Sequence, residues 1–493
     1  MPETASSGDP LMGEIEEQPP IGYEEQMRLA PNPLFFRLKR FIGVDRAIAF
    51  TVLARGWSTL AGVITVLLIA RFLTPAEQGY YFTFSSLVAL QIVFELGFSF
   101  VILQLAAHER AYLHIQDDGS IAGDPVAHSR LASVLQKAVR WYTVGAVLMA
   151  ATLLPAGYHF FHAHRQPGVS VSWQLPWIAA VLATTFTFQI DPLFAFLEGC
   201  GRIHQVARMR FTQAFAGSLM AWTALLLHYG LFAPAMIIFG QAIAGGCFLF
   251  TQRKLLLPLL RHNTSLHIVS WRREIWPFQW RIAISWLCGY FIFQLFNPVL
   301  FAYRGATEAG RMGMSLSIAS ALSAIAISWM NTKSSHFGAL VARREFGTLD
   351  RLFFRTLWQS TLLLVAGAVA MLLGLAVTIQ RFPHLAARVL PFSVFAVLLA
   401  TVLCNHIVFS EAIYLRAHKR EPFLPSSIAI GVLTACSTLF MGKYWGATGV
   451  TLGYFCTSGV FGLAYGTYIF ITKRLQWHPS PASHTVGGCV EKA

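Results

Sequence analysis

Twelve apolar runs follow one another along the chain, near 47–70, 80–106, 139–160, 175–199, 208–229, 231–252, 281–303, 311–332, 355–379, 388–415, 424–442 and 447–472. Each is close to the roughly 20 residues that a helix needs to cross about 30 Å of hydrocarbon. No other feature narrows the possible folds so far. Backbone amides in lipid must be satisfied inside the segment, as a helix, or in a closed barrel. The runs are unbroken rather than alternating with period two, which excludes barrel strands. Only 12% of the 493 residues are charged, against about 25% in soluble proteins, so most of the chain never forms water-facing surface. The expected fold is all-α and polytopic.

The net charge of +14 does not point to nucleic acid, because the basic residues sit in short loops between the apolar runs. There they set topology and meet anionic lipid. With the N-terminus in the cytoplasm, the inside segments hold 29 of the Lys and Arg residues and the outside segments hold 7. That bias predicts a multi-pass protein of the bacterial inner membrane with both termini cytoplasmic. Residues 1–40 read as a disordered acidic tail with a basic juxtamembrane end, and 475–493 as a cytoplasmic tail. No signal peptide precedes the first run, which serves as both insertion signal and anchor. The seven cysteines form no CxxC pair and imply no metal site.

A basic loop at 256–280 divides the chain into six-helix lobes at 41–255 and 281–474. Six is even, so both halves enter the membrane in the same direction, as parallel repeats about an axis along the membrane normal. Weak internal similarity agrees. Thr74-Pro-Ala-Glu77-Gln-Gly79 resembles Ala306-Thr-Glu308-Ala-Gly310, and Phe196-Leu197-Glu-Gly199 resembles Tyr414-Leu415-Arg-Ala417. Gly230-Leu-Phe-Ala233 resembles Gly446-Ala-Thr-Gly449.

These segments resemble the polysaccharide flippase branch of the multidrug/oligosaccharidyl-lipid/polysaccharide exporter superfamily over roughly 40–475. The likeness is clearest in Ala70-Arg-Phe-Leu73-Thr-Pro75-Ala-Glu77-Gln-Gly79 and in Phe94-Glu95-Leu-Gly97-Phe98. It departs from the family's pattern where Thr74, not glycine, precedes Pro75. The resemblance implies two lobes facing across a central cation-lined cavity that opens alternately inward and outward. It also implies an undecaprenyl-pyrophosphate-linked saccharide as substrate, in exopolysaccharide, capsule or O-antigen synthesis. An ion-coupled multidrug exporter of the same superfamily is the alternative. The expected surroundings are membrane lipids and a polysaccharide polymerase with its chain-length proteins, around a monomer.

Flipping breaks no bond, so neither enzyme activity nor a cofactor is expected, beyond H+ or Na+ where transport is coupled. Ionisable groups inside the membrane are the best pointers to a site, since each costs several kcal/mol unless it faces a cavity or a partner. Arg55 lies about ten residues into the first helix, where it either grips a pyrophosphate or pairs with Glu95. Glu95 and Asp191, the latter beside a helix-breaking Pro192, are candidate ion-coupling carboxylates, each with a structural role as its alternative. Gln294 and Asn297, next to Pro298, are expected to line the cavity. Arg281 and Lys333 are candidates for a cytoplasmic rim that captures the headgroup, or else topology anchors. His406 and Glu411 in the tenth run are further coupling candidates, with a satisfied interior histidine as the plainer reading. Tyr80-Tyr81-Phe82 and Trp276-Pro-Phe-Gln-Trp280 read as interfacial aromatic belts.

Overall fold

The computed structural model describes residues 46–478 except 116–119, 169, 263–267, 419 and 421. The acidic tail 1–40 and all but the first few residues of 475–493 lie outside the described residues. Eight helices among those described are long and apolar enough to cross a membrane. Two further crossings are helix pairs bent at a break, by 45° in the second span and 42° in the seventh. In the second span the break is Leu96–Gly97, both with left-handed backbone, and a Cβ at Gly97 would run into Ile282 of the seventh.

The stretch Leu424–Trp477 supplies two crossings. Gly446 leaves helical geometry at φ 60°, and Gly453 then packs back on Ser437 and Met441, so the chain reverses there into a hairpin. The Glu308 carboxylate accepts from the Ala447 N–H at 2.5 Å and caps the helix that restarts. Ile203–Leu226, 24 residues long and diluted by Arg208 and Arg210 near its start, completes twelve.

Packing within the lobes follows the parallel repeat. In the first lobe the first helix packs on the fifth, the second and sixth on the fourth, and the third on the fourth. In the second lobe the seventh packs on the eleventh, the eighth and twelfth on the tenth, and the ninth on the tenth. The lobes meet mainly where the second helix (Pro75–Val88) lies along the eighth (Ala306–Ala342). These two occupy the same place in their repeats, as a two-fold axis requires. The matching turns noted in the sequence touch there: a Cβ at Gly79 would overlap the Ala306 carbonyl, and one at Gly310 would come within 3.2 Å of the Pro75 oxygen.

Several expectations need correction. The third, eighth and ninth helices run Pro125–Ala163, Ala306–Ala342 and Phe346–Arg381, well beyond their apolar runs. Hydropathy marks only the lipid-facing part, while capping and packing carry a helix further; Asp124, for example, caps the third through the Val126 and Ala127 N–H groups. Pro192 does not break the fourth helix, which is continuous over Gln174–Gly199. Tyr80, Tyr81 and Phe82 form no belt; they are buried at 4%, 6% and 7% exposure beside the lobe interface.

The segments 253–262 and 268–275 are docked on the first lobe. Gln136 Nε2 donates to the carbonyls of Leu259, Leu260 and His262. Arg130 bridges Glu109 at 2.8 Å and Glu274 at 2.5 Å. Burial works to raise the Glu274 carboxyl, but the Ser270 N–H and Arg130 outweigh it and hold it below the ordinary glutamate range.

Candidate functional site

A cavity of about 810 Å³ lies between the lobes. The first lobe contributes Ser58 and Thr65 from the first helix, Ser85 and Ser86 from the second, Ser218 from the fifth and Gln241 from the sixth. The second lobe contributes Gln294, Asn297 and Asn405, with a serine stripe at 317, 320 and 323 on the eighth helix. Aromatic faces of Phe293 and Phe409, 6.3 Å apart, complete one side.

The wall comes from the middle of the helices and the half farther from the basic loops. Beyond it that end is sealed. Gln78 Nε2 donates to the Gly310 carbonyl at 2.8 Å and to that of Arg388 at 2.9 Å. Asn297 Nδ2 donates to Ser86 Oγ at 3.0 Å, and Tyr80 meets Phe301 edge to face at 4.8 Å. Toward the basic end the main lobe contacts are confined to the seventh helix and its lead-in, at Gly97–Ile282 and Arg130–Glu274. The cavity therefore opens toward the basic face.

The described lining residues include no Asp, Glu, Lys or Arg. This corrects the cation-lined cavity that the resemblance implied: the candidate cations stand nearer the basic helix ends. Gln294 and Asn297 line the wall as expected. Arg55, Arg281 and Lys333 are exposed and outside it. The first helix runs Arg46–Phe72, so Arg55 lies about ten residues into it, one turn before Ser58 of the wall.

Glu95 does not pair with Arg55. Its Oε1 accepts from Ser99 Oγ at 2.5 Å and from Tyr142 OH at 3.4 Å. Asp191 lies within electrostatic range of Glu95 and of Arg210. The fold thus gathers Glu95, Ser99, Tyr142 and Asp191 from three helices, a grouping the sequence did not indicate and in which Tyr142 went unnoticed. His406 and Glu411 are not in the cavity wall. They are buried in the second lobe, where His406 Nε2 meets Ser360 Oγ at 2.9 Å and Glu411 Oε1 accepts from Thr467 Oγ1 at 2.9 Å. Asn405, next in sequence, does reach the cavity and donates to Tyr454 OH at 2.9 Å. The serine stripe was also missed, although its three-residue spacing in an alanine-rich helix was there to be read.

Two repeated six-helix lobes around a central cavity are a fold shared with solved membrane transporters, one of them described as a member of the MOP superfamily. The chain is similar to the solved inward-facing structure of a multidrug resistance MATE family transporter, with TM-score 0.60 and 13% identity over 86% of this chain and 98% of that one. It is similar as well to the lipid II flippase MurJ in an inward closed conformation, with TM-score 0.61 and 14% identity over 87% and 90%. It is similar also to an outward-facing MATE transporter, with TM-score 0.54 and 12% identity over 87% of this chain and 96% of that one. No sequence-family model matches the chain, and no curated protein matches it.

Proposed function

We propose that the chain is a flippase. It carries undecaprenyl-pyrophosphate-linked oligosaccharide repeat units from the cytoplasmic to the periplasmic leaflet of a bacterial inner membrane, for exopolysaccharide, capsule or O-antigen synthesis. The observation that carries this reading is the cavity-facing stripe of the first helix. Ser58, Gly62, Thr65 and Ile69 line the cavity, and Arg55 continues the stripe one turn toward the basic end. Its exposed guanidinium is a planar fork suited to two phosphate oxygens. A lipid headgroup arriving from the basic face meets Arg55 at the level of its diphosphate, with the sugars above it among hydroxyls and amides. Arg281 and Lys333, exposed near the same ends of the seventh and eighth helices, form the rim.

Under this reading both termini are cytoplasmic, and the polyprenyl tail stays in lipid while only the polar headgroup crosses inside the protein. Binding of H+ or Na+ at Glu95 and Asp191 is the proposed coupling step, with His406 and Glu411 as second-lobe counterparts. The fold likeness to MATE transporters favours an ion-coupled multidrug exporter as the second reading. A cationic drug calls for acidic groups, however, and the described cavity wall has none. Mass spectrometry of polyprenyl-linked sugars in cells with and without the protein separates the two. Build-up of one undecaprenyl-pyrophosphate oligosaccharide in the deletion strain is expected; an unchanged lipid pool with new drug sensitivity favours the exporter.

A further inference from the structure

We infer that the part of the substrate entering the upper cavity is an uncharged, hydroxyl-rich oligosaccharide without uronic acids or free amino groups. This rests on the flippase reading above and narrows it to a substrate class. The polar groups of the wall include the hydroxyls of Ser58, Ser317 and Ser320 and the amide of Gln294, while Thr65 and Asn405 already bond Trp222 and Tyr454. Hydroxyl and amide side chains donate and accept alike, as sugar hydroxyls do, so either partner can fill either role. The exposed faces of Phe293 and Phe409 suit the C–H faces of pyranose rings.

A carboxylate brought into the same space finds no cation among the described lining residues. Three charged groups toward the sealed end are engaged within the protein: Glu308 accepts from the Ala447 N–H, Arg311 Nε donates to the Ala387 carbonyl, and Arg388 meets Gln78. Arg55 stands one turn below the wall, where the diphosphate of the same lipid competes for it. An unpaired charge in the cavity therefore loses its hydration without compensation, whereas a neutral sugar exchanges water for hydroxyls and amides.

The test uses the full-length chain in proteoliposomes. Two short-chain polyprenyl pyrophosphates are compared, one with a neutral trisaccharide and one with a single hexose replaced by its uronic acid. Each carries a fluorophore on the sugar, and flipping is read by bleaching with an impermeant reductant. The neutral lipid should move at least about tenfold faster, and Ser320→Lys, which places an ammonium in the exposed part of the wall, should cut that preference about tenfold. Equal rates, or faster movement of the acidic lipid, overturn the inference and leave the flippase reading standing. If neither lipid moves faster than in empty liposomes and neither binds in native mass spectrometry, the flippase reading itself fails and the inference with it. The wild-type comparison decides the question even if the lysine variant does not fold.

Discussion

Arg55 and Glu95 are the pair that a sequence reader would join, yet the fold keeps them separate, with Glu95 held by Ser99 and Tyr142. An exposed guanidinium at the mouth of a hydroxyl-lined cavity is free to serve a ligand. Arg55→Ala should therefore lower flipping of a pyrophosphate-linked sugar by about ten- to a hundredfold, the worth of a charged hydrogen bond, with Arg55→Lys retaining part of the rate. Proteoliposome assays check both, and wild-type rates in Arg55→Ala and Arg55→Glu alike would rule out the phosphate role. A second residue-level expectation concerns acid. Because Glu274 is held below the ordinary glutamate range, its contribution is present above that range and is lost as pH falls through its depressed folded-state value. Melting of the purified protein should drop as pH is lowered through that window, and Glu274→Gln should melt lower at neutral pH with a flatter dependence.

Between elements, the seal depends on glycine. The second and eighth helices approach so closely that the Gly79 Cα faces the Ala306 carbonyl, which leaves no room for a side chain. Gly79→Val should destabilise this contact by about 1–3 kcal/mol, the usual cost of overpacking, and lower the melting temperature by several degrees. Transport should fall as well, because the conformation sealed away from the basic face is weakened. An unchanged melting curve would mean that the helices separate more easily than their packing implies. The same glycines were visible in the sequence as matching turn motifs, but nothing there said that the two turns touch. That follows from the two-fold arrangement of the repeats, which brings equivalent elements together at the axis. Tyr80-Tyr81-Phe82 went astray for the same reason: an aromatic cluster near a helix end looks interfacial until a second lobe covers it.

For the molecule as a whole, alternating access requires the seal between Gln78 and the Gly310 and Arg388 carbonyls to open while the basic end closes. Cysteines at Gln78 and Arg388, in a background without the native cysteines, should crosslink and stop transport, with reduction restoring it. Continued transport through the crosslink would exclude opening at that end. The docked stretch before the seventh helix, held by Gln136 and Arg130, should move with the first lobe, which leaves the 42° break between Phe293 and Phe296 as the place where the lobes reorient.

Runs of apolar residues by themselves determined that the chain is a helical membrane protein of twelve crossings. Lipid leaves the backbone no alternative, and the Lys and Arg bias then orders the loops. An even division of those runs also determined the parallel repeat. Gln294 and Asn297 were legible as cavity residues because polar amides within an apolar run are costly without a wet surface. Only the tertiary structure decided the rest. It gathered Glu95 and Asp191 from different helices, aligned the serines of the eighth helix with those of the first and second, and left charge out of the described wall. A buried serine can satisfy itself on its own helix, as Ser410 does on the His406 carbonyl, so its presence in a span carries little information. Its orientation toward a shared cavity, set by how the lobes pack, is what makes it part of a site.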